Sequence, residues 1–222
     1  MIRQLHEKDV ENILNAEKRA FIPSIQATEE TIKRRFGKGH IYLGVDAKNE
    51  LAGTLALRFA NFAEDFADFC KRNPTFSEYA ERGNEKDANA VFVYSIGIIP
   101  QYRNAASARK LLQGALEIAR QKDMEYFVGD ARIPSYNGSS NLPYEQFSRN
   151  EKLHKAVNNY FRTGIMPSRD LIKKDPVAGF YLNVFPAVHI LGITDENFWK
   201  DDAPCGGHMI IGSLKLDELT SK

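Results

Sequence analysis

The sequence predicts a mixed α/β (α+β) fold, in which one mostly antiparallel central sheet is flanked by helices. Short β-branched segments alternate with amphipathic segments of helical spacing in the order β-α-α-β-β-β-α-β-α-β-β. The chain has 222 residues, of which 43% are hydrophobic and 27% charged, and these values are typical of a globular protein. We expect a single domain over residues 1–222.

The first half of the chain supplies most of the predicted sheet. Thr28 is a good N-cap for a helix over Thr28–Phe36, and acidic residues follow it at the positive end of the helix dipole. The other predicted helices are Glu7–Arg19 and a long one ending near Lys122, and the predicted strands are Ile2–Leu5, Ile41–Asp46, Leu51–Phe59, Val91–Ile98 and Tyr126–Asp130.

Residues 60–89 interrupt this order between the third and fourth strands. Phe62, Phe66 and Phe69 recur there at helical spacing, which predicts a helical insertion. In the rest of the chain we expect helices at Tyr144–Thr163 and Asp175–Phe185, followed by strands at Val188–Ile193 and His208–Leu214.

The composition narrows the class of protein. A formal net charge of +1 argues against nucleic acid or an anionic membrane as a partner. The two cysteines, Cys70 and Cys205, provide neither a disulfide framework nor the spacing of a metal site, so we expect no metal. Reduced thiols are the simplest interpretation, and they predict a cytoplasmic location. No apolar run is long enough to span a membrane. The aromatic residues of segment 62–79 and the last strands could form a homodimer surface.

The stretch from Val91 to Leu112 joins a strand to a helix through a short turn. Val91–Ile98 is apolar and β-branched, and Pro100 ends it because proline cannot donate a hydrogen bond to a sheet. Small residues follow, where the first N–H groups of a helix lack partners within the helix. A phosphate group can bind there if no side chain blocks it. Any strand–helix unit of an α/β protein shares this pattern.

Arg103-x-x-Ala106-x-Ala108 resembles the Arg/Gln-x-x-Gly-x-Gly/Ala signature of the GNAT family of N-acetyltransferases. The resemblance implies that this loop binds the pyrophosphate of acetyl-CoA and that the preceding strand binds the pantetheine arm. Ala106 departs from the family pattern, because glycine is most common there and alanine disfavours a positive φ. The implied cofactor-binding residues are Ile96, Ile98, Arg103, Asn104, Ala105, Ala106, Ser107, Ala108 and Arg109.

The last third of the chain resembles a subset of that family, the acetyltransferase domains associated with carbon–nitrogen hydrolases. The shared segments are Arg132-Ile133-Pro134-Ser135-Tyr136, Asp175-Pro176-Val177 and Asp201-Asp202. With them, the resemblance covers nearly the whole chain except residues 60–89.

Acetyl transfer to an amine needs a neutral amine, a polarised thioester and a proton for the leaving thiolate. In the family, the amine attacks acetyl-CoA directly in a ternary complex, and a backbone N–H of the fourth strand, implied here to be that of Ile98, polarises the thioester. A tyrosine of the last helix often protonates the thiolate. Tyr181 is the candidate, but the usual position also aligns with Phe180. The family often uses a carboxylate of the fourth or fifth strand as the base. The fourth strand has none here, so the resemblance implies Asp130, at the end of the fifth strand, with a capping role as its alternative.

The leading interpretation is therefore an N-acetyltransferase that uses acetyl-CoA and acts on a primary amine of a small molecule, an amino acid or a peptide. The alternative is a sensor or interaction domain that binds CoA without catalysis. Ala106 and the ambiguous tyrosine fit this alternative. Turnover separates the two, because only the enzyme consumes acetyl-CoA. A third interpretation is an α/β protein that binds no nucleotide.

Overall fold

The structure is a computed structural model that describes residues 1–103, 105–142 and 145–219. Seven strands form one sheet in the order β1-β2-β3-β4-β5-β9-β8, and β6 pairs with β7 in a separate hairpin. The strands are β1 (Ile2–Leu5), β2 (Ile41–Ala47), β3 (Glu50–Ala60), β4 (Ala90–Ile98), β5 (Tyr126–Arg132), β6 (Ser139–Leu142), β7 (Glu145–Phe147), β8 (His189–Ile193) and β9 (Met209–Lys215). The predicted mixed, mostly antiparallel fold is confirmed.

Helices flank these strands in the predicted order, apart from one short helix over Arg169–Ile172 that was not predicted. They are α1 (Val10–Ala20), α2 (Glu29–Gly37), α3 (Phe66–Arg72), α4 (Phe76–Glu81), α5 (Ala105–Gln121), α6 (Glu151–Thr163), α7 (Arg169–Ile172) and α8 (Pro176–Val184). The two short helices α3 and α4 form the predicted helical insertion between β3 and β4.

The chain divides into two compact units. The first contains Met1–Phe62, Ala80–Val128 and the segment that begins at Lys215. The second contains Ala63–Tyr79 and Gly129–Leu214, so the insertion contributes residues to both. A single domain over the whole chain stays a prediction.

In the first unit, β1 to β4 pair antiparallel with their neighbours. The register of β3 and β4 shifts once: Ala56 lies opposite Ser95 and Leu57 opposite Val93, so Tyr94 is an extra residue in β4. Such a bulge bends a strand and increases its twist. The core side of α5 is buried at residues that recur at helical spacing, Leu111, Leu112, Ala115 and Ala119.

In the second unit, β8 and β9 pair antiparallel beside a core to which α6, α7 and α8 contribute. Asp175 caps α8, since its Oδ1 accepts hydrogen bonds from the N–H groups of Val177 at 2.9 Å and Ala178 at 3.0 Å. Gly179 is required for this packing, because a Cβ there would lie 2.3 Å from the carbonyl oxygen of Lys173.

One predicted helix is wrong in its extent. We expected it over Tyr144–Thr163, but α6 begins at Glu151 and the hairpin strand β7 occupies part of the preceding stretch. The side chain of Asn150 accepts hydrogen bonds from the N–H groups of Lys152 and Leu153, both at 3.1 Å, and this cap fixes the start of the helix. Tyr144 itself lies outside the described residues.

Candidate functional site

The segment between β4 and α5 enters the helix through a fixed turn. The Ile99 N–H donates to the carbonyl oxygen of Ala52 at 2.9 Å, and the Arg103 N–H donates to that of Pro100 at 3.1 Å. A 3-10 turn over Pro100–Tyr102 therefore leads from the strand toward α5. The predicted binding residue Asn104 lies outside the described residues, and α5 begins at Ala105.

Ala106 lies in the first turn of α5 and is exposed. A helical residue has a negative φ, so the backbone freedom of glycine is not needed there, and alanine favours the helix. Ser107 and Ala108 are half-buried, and Arg109 is exposed. The departure from the family signature at Ala106 is thus compatible with a phosphate-binding helix start.

The Arg103 guanidinium contacts two backbone carbonyl groups. Its Nε donates to the carbonyl oxygen of Ile98 at 3.1 Å, and its Nη2 donates to that of Ala20 at 2.9 Å. These bonds tie the end of β4 to the end of α1 and hold the loop in place. The role of Arg103 in phosphate binding stays a prediction beside this anchoring role.

The end of β4 that leads into the loop alternates between half-buried and buried residues. Ile96 and Ile98 are half-buried, whereas Gly97 between them is buried. A Cβ at Gly97 would lie 2.6 Å from the ring of Phe21, so only glycine lets this ring approach the strand. Thioester polarisation by the Ile98 N–H stays a prediction.

In the second unit, Asp130 lies near the end of β5 and carries an unsatisfied oxygen. Its Oδ1 is buried and has no hydrogen-bond partner among the described residues. Burial raises the pKa of Asp130 from 3.8 to about 8, and the negative charge of Asp202 adds to this increase. A hydrogen bond from the Tyr79 hydroxyl and the charge of Arg132 act in the opposite direction. Asp130 lies within a strand and does not begin a helix, unlike the capping residues Asp175 and Asn150.

An ion pair lies beside Asp130. The Arg132 guanidinium donates to both carboxylate oxygens of Asp202, at 2.6 Å and 2.8 Å. Asp202 is fully buried, so this two-armed contact stabilises a charge that would otherwise lack solvation. The ion pair also fixes the positions of two charges, those of Arg132 and Asp202, that shift the pKa of Asp130 in opposite directions.

The pKa of Tyr181, which lies on α8, is affected by the charge of Asp130. Burial raises its pKa above the usual value of a phenol, and the charge of Asp130 raises it further. Phe180 lies beside it, with ring centroids 5.4 Å apart, but offers no proton. The structure therefore brings together two of the predicted catalytic residues, Asp130 and Tyr181.

Sequence reasoning missed Tyr79, which reaches Asp130 from α4 of the insertion. Its position three residues after Phe76 marks a helical apolar face, but nothing local shows that its hydroxyl meets a carboxyl group. Arg132 and Asp202 were noted only as parts of family segments, without a role.

Within the described part of the chain, neither a membrane-spanning helix nor a cluster of metal ligands is present. No helix there has the length and apolarity needed to cross a membrane. No group of three or more His, Cys, Asp or Glu side chains there is arranged to hold a metal ion.

The family model described as Acetyltransferase (GNAT) family matches residues 8–137, which is more than half of the chain. The chain belongs to the GNAT acetyltransferase family. As a GNAT protein it is an acyltransferase, and the family uses acyl-CoA as its donor. Membership in the hydrolase-associated subset stays a prediction.

Several solved structures share the fold. GphF, a GNAT-like decarboxylase in complex with isobutyryl-CoA, is 20% identical, with 97% of this chain and 99% of that chain covered and a TM-score of 0.71. The loading GNATL domain of CurA from Lyngbya majuscula is 14% identical, with 98% of each chain covered and a TM-score of 0.67.

A third structure of this fold is the ribosomal-protein-S18-alanine N-acetyltransferase from Escherichia coli. It is 12% identical, with 97% of this chain and 93% of that chain covered and a TM-score of 0.56. No curated protein matches the sequence.

Proposed function

We propose that this GNAT protein transfers an acetyl group from acetyl-CoA to a primary amine of a small molecule, an amino acid or a peptide. The observation that carries the proposal is Asp130, whose buried Oδ1 has no partner among the described residues and whose carboxyl group influences Tyr181. A carboxyl group and a phenol in one cluster are the two groups that this proton transfer needs.

The first unit binds the donor in this proposal. The backbone of β4 at Ile96 and Ile98 holds the pantetheine arm, and the loop and first turn of α5, residues 103–109, hold the pyrophosphate. The anchored turn, the exposed Ala106 and the length of α5, Ala105–Gln121, support this assignment.

Asp130 and Tyr181 make the proton transfers in this proposal. The amine nitrogen attacks the thioester carbonyl carbon in a ternary complex, and the proton lost by nitrogen passes to the carboxylate of Asp130. The C–S bond then breaks, and the Tyr181 hydroxyl gives its proton to the departing thiolate. Return of the proton from Asp130 to the Tyr181 phenolate restores both groups, so the products are the N-acetyl amine and CoA with a free thiol.

The raised pKa of Asp130 makes its carboxylate a stronger base than an ordinary aspartate. The same shift means that the carboxyl group is mostly protonated at neutral pH in the free enzyme. Since the base must be ionised, kcat/KM is expected to rise with pH and to level off above a pKa of about 8.

An amine panel tests this function. The protein is incubated with acetyl-CoA and, in separate reactions, with polyamines, aminoglycosides, free amino acids and peptides with free N-termini. Thiol release is followed optically, and the acetylated product is identified by mass spectrometry. Amine-dependent release of CoA supports the proposal. A saturable heat of acetyl-CoA binding without turnover of any amine would instead favour the CoA-binding domain without catalysis.

Decarboxylation of an acyl-CoA is a second candidate function. It is favoured by the TM-score of 0.71 to a GNAT-like decarboxylase, against 0.56 for the S18-alanine N-acetyltransferase. In this reaction a carboxylate on the carbon next to the thioester leaves as CO₂, and its bonding electrons stay on that carbon. The protonated Asp130 would supply the proton that this carbon then needs.

Malonyl-CoA without any amine distinguishes the two candidates. Conversion to acetyl-CoA and CO₂ would establish the decarboxylase. Intact malonyl-CoA, together with amine-dependent loss of acetyl-CoA, would establish the acetyltransferase.

A further inference from the structure

We propose that Tyr79, which the inserted segment contributes, is a positioning residue that orients the carboxyl group of Asp130 for proton transfer. The inference rests on the proposed function of Asp130 as the base. Under this inference the insertion, residues 60–89, contributes to proton transfer as well as to the packing of the core.

The Tyr79 ring is held in one place. Its side chain is completely buried, and its ring contacts those of Phe69, Phe76 and Phe198 at centroid distances of 5.6 Å, 6.1 Å and 6.1 Å. A buried phenol needs a hydrogen-bond partner, because an unpaired hydroxyl in the interior is costly. Here the hydroxyl donates to the carboxyl group of Asp130.

The hydrogen bonds of Asp130 leave one oxygen of its carboxyl group available. The backbone N–H of Asp130 itself and the Tyr79 hydroxyl both donate to the carboxyl group, whereas its Oδ1 has no partner among the described residues. With the carboxyl group held in this way and the ring of Tyr79 immobile, Oδ1 is the atom left to accept the proton of the amine.

The hydrogen bond also offsets part of the effect of burial, since a hydroxyl that donates to a carboxylate stabilises the charged form. The other titratable groups that face Asp130 are Arg132 on β5, Asp202 in the loop before β9 and Tyr181 on α8. The positive charge of Arg132 favours ionisation of Asp130, whereas the negative charge of Asp202 disfavours it. Arg132 and Asp202 are joined to each other by two hydrogen bonds.

Tyr79→Phe tests the inference, because phenylalanine keeps the ring packing and removes only the hydroxyl. We expect the acid limb of the kcat/KM profile to move to higher pH by about one unit, with about a tenfold loss of kcat/KM at pH 7. The KM for acetyl-CoA should stay unchanged. Tyr136→Phe is the matched control, since it removes the hydroxyl of another buried tyrosine of the same unit, which donates to Asn158 at 2.7 Å. Its acid limb should not move.

A second readout does not depend on activity. In protein labelled with ¹³C at the aspartate carboxyl groups, the signal of Asp130 is assigned by its loss in Asp130→Asn. Its titration midpoint should rise in Tyr79→Phe and stay in place in Tyr136→Phe. This measurement remains informative even if Tyr79→Phe lowers the melting temperature.

Failure of the inference and failure of the proposed function give different results. Full activity in Asp130→Asn would show that Asp130 is not the base, which overturns the proposed role. If Asp130→Asn is inactive while Tyr79→Phe leaves both the acid limb and the carboxyl titration unchanged, Tyr79 only packs the insertion and the inference is wrong.

Discussion

The loop before α5 and the cluster around Asp130 are built in different ways. The loop is one continuous stretch, held by backbone hydrogen bonds and by the guanidinium of Arg103. The cluster is assembled from α4, β5, α8 and the loop that contains Asp202, and its behaviour depends on burial. In the proposed function, the loop therefore binds acetyl-CoA through backbone geometry, whereas the cluster transfers protons through the environment of one carboxyl group.

This comparison implies that donor binding and proton transfer can be disrupted separately. A change at the start of α5 should reduce acetyl-CoA affinity and leave the titration of Asp130 unaltered. A change in the Asp130 cluster should alter the rate and its pH dependence with little effect on acetyl-CoA affinity. The predictions below examine this separation, beginning with the largest expected effect.

Asp130→Asn should produce the largest loss, because the amide cannot accept the proton of the amine. We expect kcat to fall by about 10²- to 10⁴-fold, the range typical of removing a general base. The acid limb near the pKa of about 8 should also disappear from the remaining activity. A variant that retained that limb would show that another group is responsible for it.

Ala106→Glu should weaken acetyl-CoA binding by about 100-fold, since it places a carboxylate where the pyrophosphate is proposed to bind. The helix itself should tolerate the change, because Ala106 is exposed and acidic residues are favourable in a first turn. Isothermal titration calorimetry measures the affinity. Ala106→Gln has the same size without the charge, and it should bind acetyl-CoA more tightly than the glutamate variant does. Equal affinities for the two variants would contradict a phosphate site here.

Arg103→Lys should lower stability more than it lowers affinity. Lysine cannot reproduce the forked donation to the carbonyl groups of Ile98 and Ala20, and one lost hydrogen bond costs about 1 kcal/mol. For a chain of this size, that corresponds to a drop of about 2–4 °C in melting temperature. Arg120→Lys is the control, because this exposed arginine lies in the last turn of α5, away from the loop. A large loss of acetyl-CoA affinity at unchanged melting temperature would instead place Arg103 on the phosphates.

The last prediction concerns the change of stability with pH, which is measured without any turnover. The pKa of Asp130 is raised from 3.8 to about 8 on folding, so the folded state binds more protons in that window. The contribution of this group to stability is therefore present below pH 4 and is lost as pH rises through about 8. The melting temperature of Asp130→Asn minus that of the wild type should increase across this window. Glu17, whose pKa is raised to about 7, contributes equally to both proteins. A constant difference would contradict the raised pKa.

Local chemistry made much of the fold predictable. Thr28 caps α2 through its bond from the Thr31 N–H at 3.1 Å, as its sequence position indicated. Asp175 caps α8, and the apolar face of α5 is buried as its spacing required. Each of these features depends on residues within a few positions of one another. The start of α6 was missed because the predicted helix extended past the cap at Asn150.

The candidate site was only partly predictable for the same reason. The loop is a local motif and could be located from Arg103 and Ala106. The contact between Tyr79 and Asp130 joins residues far apart in sequence, and no local pattern encodes it. The pKa of Asp130 depends on burial and on Asp202, so it too arises only in the folded chain.

The most direct test of this separation is the affinity of Asp130→Asn for acetyl-CoA, measured by calorimetry beside the wild type. The account predicts the same Kd within about twofold, together with the loss of amine acetylation. Loss of acetyl-CoA binding in a folded Asp130→Asn variant would contradict it, because binding and proton transfer would then depend on the same group.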